Sequence, residues 1–191
     1  MLELVSYLNK RFSLSVDASQ QLASLIRISE IGKGTTFVRS GKINTDEYLV
    51  LDGICRSFVM NPNGEDVTLS FFTSDSAISP NLTRTESGTS IINIQALTDV
   101  RLAFFSSVDL VTSMGSNREI ENWANGVLQN ELLQKVRKEI NQNSLKAKER
   151  LISFRLKYPS LENHIAHSYI CLLYTSPSPR DATLSRMPSS A

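Results

Sequence analysis

The residues best suited to bind a charged small molecule lie in a run of hydroxyl side chains around one arginine, at positions 83–90. A guanidinium can bond a phosphate or carboxylate through two parallel N–H groups, and neighbouring hydroxyls can bond the remaining oxygens. Arg84, Thr85, Thr89 and Ser90 are therefore the candidate ligand-binding residues. The alternative is a solvated surface loop, because stretches rich in charged residues, Ser and Thr are mostly loops.

The histidines and cysteines do not follow a pattern typical of metal binding or catalysis. His164 and His167 are three residues apart, and no carboxylate or thiol completes a ligand set, so a capping or hinge role is the preferred interpretation. Cys55 and Cys171 are too isolated for a zinc site, and Cys55 is expected to be a small buried residue. Without a Gly-rich phosphate loop or a catalytic triad, we predict no enzyme, no metal and no cofactor.

Composition predicts a water-soluble protein. The 191 residues are 41% hydrophobic and 20% charged, and they contain no run of eighteen apolar residues that could cross a bilayer. The first twelve residues lack the basic start and continuous apolar centre of a secretory signal, which predicts a cytoplasmic location with no membrane partner. A net charge of +1 gives no electrostatic indication of a nucleic-acid partner.

Residues 32–107 consist of short β-branched and aromatic runs separated by turns at regular intervals. Hairpins are predicted at Asp52-Gly53, at Asn61-Pro62-Asn63-Gly64 and at Thr98-Asp99. Apolar residues alternate along the runs, so each strand buries one face. This pattern predicts a two-layer β jelly roll, preceded by short helices of which one begins with a capping box at Asp17 and Gln20.

Beyond Ser116 the apolar spacing becomes helical. Apolar residues spaced by four shift gradually around the surface of a helix. The first half of this helix is therefore expected to cover the jelly roll, and the second half to meet its copy in another subunit. The predicted dimer interface comprises Trp123, Val127, Leu128, Leu132, Val136 and Ile140. The alternative is a long helix that covers only its own domain, and an exposed Trp123 would favour the dimer.

A second amphipathic helix is predicted at residues 147–157, because Pro159 prevents its continuation. Another helical segment begins near residue 160. From Cys171 the sequence changes to a Ser/Pro-rich run without apolar periodicity. Residues 171–191 resemble the translated reading frame of a transposase-type sequencing adapter, and we expect them to be an artefactual, disordered tail outside the fold.

Several motifs occur in a characteristic order along the chain. They are Gly32-Lys33-Gly34, residues 37–41, the strand and turn at residues 48–53, Arg56, residues 96–100, and the linker at residues 158–163 with residues 165–170. Together with the order of elements, these motifs resemble the Crp/Fnr (cyclic-AMP receptor-like) family of transcriptional regulators. The last motif is similar to members common in Bacteroidetes-type bacteria. The resemblance covers nearly all of residues 1–170.

The resemblance implies a mainly β fold with four parts. Residues 1–115 would form a cyclic-nucleotide-binding-like sensor domain, residues 116–145 a long dimerisation helix, and residues 146–170 the start of a C-terminally truncated winged helix-turn-helix. The implied partners are a second copy of the chain, a small-molecule effector, and DNA in the full-length protein alone, because the recognition helix is expected to be missing here.

The resemblance also indicates that cyclic AMP is not the effector. Members that bind it carry a Gly-Glu pair followed by an Arg-Ser or Arg-Thr pair. Here residues 76–80 lack both glycine and glutamate, and the later pair is Ser90 and Ile91. Two alternatives stay open: a stand-alone ligand-binding or interaction module, and a cupin-type enzyme. The second is weaker, because residues 32–107 contain no histidine to hold a metal.

Overall fold

The computed structural model describes residues 14–159, 161–166 and 169–170, except for the side chains of residues 80 and 81. The described chain separates into two compact units, which meet between Leu132 and Leu133. The division into four parts stays a prediction. The first unit carries the sheets. The predicted tail at residues 171–191 and His167 lie outside the described residues.

Eight strands and four helices follow one another along the described chain. The strands are β1 Arg27–Ile31, β2 Thr36–Val38, β3 Asp46–Asp52, β4 Cys55–Met60, β5 Asp66–Phe72, β6 Ala77–Ile78, β7 Asn93–Ala96 and β8 Val100–Ser106. The α-helices are α1 Val16–Leu25, α2 Ser107–Ser116, α3 Arg118–Ser144 and α4 Ala147–Lys157. Short 3-10 turns occupy Pro80–Thr83 and Leu161–Asn163.

The strands form two antiparallel four-stranded sheets, in the orders β1-β8-β3-β6 and β2-β7-β4-β5. The predicted jelly roll is therefore confirmed. Its interior is apolar, and Val38, Val50, Ile94 and Leu102 are almost fully buried there. A second apolar cluster, which includes Leu22, covers the first sheet with side chains from α1 and α3.

One of the three predicted hairpins is confirmed and two are wrong. Asn61-Pro62-Asn63-Gly64 joins β4 to β5, which are paired from Met60 opposite Asp66. By contrast, β3 pairs with β6 and β8 and not with β4, and β7 pairs with β2 and β4 and not with β8. Asp52-Gly53 and Thr98-Asp99 are therefore corners at which the chain passes from one sheet to the other.

The two corners pack against each other. Ile54 N–H donates to the Thr98 hydroxyl oxygen at 3.0 Å, and Leu97 N–H donates to the Ile54 carbonyl at 2.8 Å. Gly53 has φ +92°, and a β-carbon there would lie 2.4 Å from the Asp99 carbonyl oxygen. The corner therefore requires glycine both for its backbone angle and for space.

The first helix of the described chain has its N-cap two residues before the predicted one. Ser15 is its N-cap, with its hydroxyl accepting from Ala18 N–H at 3.2 Å, so the assignment of the cap to Asp17 and Gln20 is wrong. The backbone N–H of Ser15 donates to the Glu119 carboxylate at 2.7 Å, which ties α1 to the start of α3. Asp17 lies instead in the first turn, where a negative charge favours the helix dipole.

The helical region after the roll begins earlier than predicted and is interrupted once. Helix α2 ends at Ser116, and Asn117 starts α3 by accepting from Glu119 N–H at 2.9 Å through its side-chain oxygen. The prediction of a helix at residues 147–157 is confirmed by α4. No helix in the described part of the chain is both long and apolar enough to cross a membrane.

Candidate ligand site

Arg84 lies directly after the 3-10 turn, and its side chain is buried. The guanidinium forms an ion pair with the Glu47 carboxylate of β3. Its Nη1 also donates to the carbonyl of Asn44 at 3.1 Å and approaches the carbonyl of Asp46 at 3.4 Å. These contacts engage the guanidinium inside the protein. Binding of an anionic ligand by Arg84 stays a prediction, and the ligand would have to compete with these partners.

Glu47 was not among the predicted site residues. It stands in β3 between Asp46 and Tyr48, and its partner Arg84 is 37 residues away in the sequence. An acidic residue in an alternating strand normally indicates a solvent-facing position. The buried location is set by sheet pairing and by the helices that cover this face, and no local motif marks it.

The hydroxyl side chains that follow Arg84 bond mainly to one another. Thr85 Oγ1 lies 2.8 Å from Ser87 Oγ and accepts from Thr89 N–H at 3.2 Å, around Gly88 with φ +79°. Thr85 and Ser87 are exposed, as the surface-loop alternative requires. Ser90 is buried, and its hydroxyl donates to the Ile92 carbonyl at 2.8 Å. Ligand binding by Thr85, Thr89 and Ser90 stays a prediction.

Aromatic side chains fill the interior of the roll beside this loop. Tyr48 packs edge-on against Phe37 with centroids 5.4 Å apart, and Phe104 lies 6.3 Å from it. The Asn44 side-chain amide donates to the Tyr48 hydroxyl oxygen at 2.7 Å, while burial raises the pKa of Tyr48. Deeper in the roll, burial raises the pKa of Cys55 to about 12, which confirms the expectation of a small buried side chain.

The second buried arginine holds the other sheet together. Arg56 of β4 forms an ion pair with Asp66 of β5 at 2.5 Å, and its Nε donates to Gln95 Oε1 of β7 at 2.9 Å. Its guanidinium also lies over the Phe58 ring, 4.2 Å from the centroid. Arg56 therefore joins three adjacent strands, a structural role that needs no ligand.

A cavity of about 140 Å³ lies on the outer face of the β1-β8-β3-β6 sheet, beneath α2 and α3. Its walls are mainly apolar. The principal lining side chains are Leu49, Ala77, Phe105, Met114, Trp123 and Val127. The cavity was not predicted from the sequence, because it depends on how two helices meet a sheet.

Helix α3 changes from buried to exposed apolar residues along its length. Trp123 is 5% exposed and packs against Phe105, so it contributes to the core of its own subunit. The exposure that would have favoured its place in a dimer interface is absent, and that place stays a prediction. Val127 and Leu128 are half-buried. Three further apolar residues at spacings of four are exposed, Leu132 by 57%, Val136 by 43% and Ile140 by 56%.

Acidic and metal-ligating side chains are dispersed. Within the described ranges, His, Cys, Asp and Glu form no group of three or more that could hold a metal ion. His164 lies after the 3-10 turn Leu161–Asn163 and its N–H donates to the Leu161 carbonyl at 3.0 Å.

No protein-family model and no curated protein sequence matches the chain. Solved structures do. FixK2 from Bradyrhizobium japonicum matches with a TM-score of 0.67 at 15% identity, over 78% of this chain and 77% of that one. A cyclic nucleotide-binding domain from Methylobacillus flagellatus matches with a TM-score of 0.64 at 15% identity, over 73% and 80%. A protein from Eubacterium rectale assigned to the crp/fnr family of transcriptional regulators matches with 0.62 at 16% identity, over 78% and 70%.

The chain therefore has the cyclic-nucleotide-binding jelly-roll fold with accompanying helices. Its structural neighbours include transcriptional regulators of the Crp/Fnr family. At identities of 15–16% the likeness establishes the fold, and function has to be argued from the residues of this chain.

Proposed function

We propose that this chain is the sensor and dimerisation part of a Crp/Fnr-like DNA-binding transcriptional regulator. The observation that carries the proposal is the change along α3. Ile120, Trp123 and Ala124 pack into the first unit, whereas Leu132, Val136 and Ile140 are exposed. Exposed apolar residues repeated along one helix indicate an interaction surface, because leaving them in water is unfavourable.

We propose a second copy of the chain as the occupant of this surface. The residues recur every four positions, which is the spacing at which one helix packs into the grooves of another. A two-fold axis would bring identical residues together, so a single stripe suffices for both partners. The similarity of fold to the Eubacterium rectale protein, which is assigned to the crp/fnr family of transcriptional regulators, supports a role in transcription.

Substituting Val136 by glutamate is expected to convert a dimer into a monomer. Near a two-fold axis the substitution would place two buried negative charges close together, which costs several kcal/mol, on the order of 2–5. Sedimentation equilibrium at micromolar concentration measures the effect. Val108→Glu is the matched control, because Val108 is also an exposed valine but lies on α2, and it should leave the dimer intact.

A wild-type chain that remains monomeric under these conditions would contradict the dimer and would favour the alternative of a stand-alone ligand-binding module. An unchanged dimer in Val136→Glu would place the interface elsewhere.

The effector in this proposal is not cyclic AMP. Ser90 and Ile91 stand where the family resemblance implies an arginine and a hydroxyl, and the Ser90 hydroxyl is bonded to Ile92. Within the roll, the buried side chains of Arg56 and Arg84 are each paired with a carboxylate. Both observations leave the cyclic phosphate without a built cationic partner among the described residues of the roll.

Calorimetric titration with cyclic AMP is therefore expected to give a dissociation constant weaker than about 1 mM, because a lost buried charge pair costs on the order of 2–5 kcal/mol. A thermal unfolding transition measured on the same sample shows that the protein used is folded. Micromolar affinity would contradict this interpretation of the site.

A further inference from the structure

We propose that the cavity beneath α2 and α3 is a binding site for a compact, uncharged apolar molecule of about the size of a benzene ring. The cavity has a volume of about 140 Å³. It lies outside the two-sheet interior, on the opposite face of β3 from Val50 and Leu102. Arg84, Thr85, Thr89 and Ser90, which the sequence singled out, do not line it, although Arg84 pairs with the lining residue Glu47.

The lining determines the chemistry of the ligand. Leu49, Phe105, Met114, Trp123 and Val127 present hydrocarbon, thioether and aromatic surfaces. None of the described lining residues is a lysine, arginine or histidine. The acidic side chain on the wall, Glu47, forms an ion pair with Arg84 and therefore does not require a cationic ligand. A carboxylate on the wall also offers no attraction to an anionic ligand. Phosphates and carboxylates are therefore excluded.

The volume sets the size of the ligand. Closed apolar cavities of roughly 150 Å³ accept benzene, because water inside them finds no hydrogen-bond partners. This pocket is partly open to solvent, and its walls are similarly apolar. Pockets for larger organic ligands have volumes of about 300–1,000 Å³. The enclosed part of the site therefore fits a single six-membered ring or an equivalent aliphatic group.

The location links the site to helix α3. Trp123 and Val127 line the cavity, and the first exposed residue of the stripe, Leu132, follows five positions after Val127. A ligand there would contact the helix just before its exposed segment. The role of this ligand as the effector of a regulator rests on the proposed function. Its binding to the cavity is independent of that function.

Titration of the full chain with benzene tests the site. Trp123 is the only tryptophan, so its fluorescence reports occupancy of the cavity directly. Benzene is expected to change this fluorescence with a dissociation constant of about 1 mM or below and to raise Tm, since a ligand that binds only the folded state stabilises it. Benzoate has the same ring with a negative charge and should bind at least about tenfold more weakly, because its charge would be buried unpaired.

Two variants localise the binding. Val127→Phe fills the cavity and should reduce benzene affinity at least about tenfold, whereas Val108→Phe, on an exposed part of α2, should not change it. Met114→Ala enlarges the cavity and should allow naphthalene to bind. This second variant decides the matter if Val127→Phe does not fold.

The inference is overturned if benzene changes neither fluorescence nor Tm in the wild type, or if benzene and benzoate bind equally. It is also overturned if Val127→Phe binds benzene as the wild type does, or if naphthalene fails to bind Met114→Ala. Sedimentation of the same samples separates the two proposals: binding by a monomer would refute the dimer alone, and a dimer without binding would refute the cavity site alone.

Discussion

Replacing Gly53 by alanine is expected to remove a large part of the stability of the jelly roll. The added β-carbon would lie 2.4 Å from the Asp99 carbonyl oxygen and 3.0 Å from the Thr98 hydroxyl, and the backbone angle of +92° is unfavourable for alanine. Left-handed strain and the forced shift of the facing corner together should cost about 3–5 kcal/mol. That is a substantial share of the roughly 5–15 kcal/mol that stabilises a typical domain.

Gly64→Ala is the matched control for this experiment. Gly64 has φ +80°, and a β-carbon there would meet nothing within 4 Å. Gly64→Ala introduces the backbone strain without the collision, so it should lower the free energy of unfolding by about 1 kcal/mol. Urea unfolding followed by Trp123 fluorescence measures both variants. Equal losses in the two would show that the packing of the corners contributes little.

Replacing Arg84 by methionine is expected to destabilise the first unit by about 3–5 kcal/mol, because the substitution leaves the Glu47 carboxylate buried without its cationic partner. The backbone carbonyls of Asn44 and Asp46 would also lose Arg84 Nη1 as their hydrogen-bond donor. The free energy of unfolding is again measured with urea and Trp123 fluorescence. Arg39→Met, at an exposed arginine of the same unit, should change it by less than about 0.5 kcal/mol.

A double variant distinguishes an unpaired charge from a general packing defect. Arg84→Met combined with Glu47→Leu replaces the ion pair with apolar side chains of similar volume, which should recover most of the lost stability. If the double variant is less stable than Arg84→Met alone, the buried charge is not the cause of the loss. The same result would remove the argument that Arg84 has a structural role in place of a ligand-binding one.

The positions of the long strands and of α4 could be predicted because they depend on local patterns. Alternation of apolar residues determines strand faces, and Pro159 prevents α4 from continuing regardless of context. The pairing of strands could not be obtained in the same way. A two-residue turn such as Asp52-Gly53 is compatible both with a hairpin and with a corner, and the choice depends on residues 98–100, far away in the sequence.

The surroundings of Arg84 and Trp123 could not be predicted from the sequence. Arg84 was chosen because arginine suits anions, but burial beside Glu47 gives it a structural partner that sequence spacing does not reveal. Trp123 was assigned to the interface on the ground that tryptophan is frequent there, yet it completes the core. The break before α3 was predictable, since Asn117 is a typical N-cap residue, and that indication was missed.

The pairing of β1 with β8 has a consequence for biosynthesis. Arg27 lies opposite Phe104, so the first strand of the roll finds its neighbour only after nearly eighty further residues have been added. During translation β1 therefore remains without its partner strand until β8 has left the ribosome. Over that interval a bare strand edge is available to chaperones and to other nascent chains.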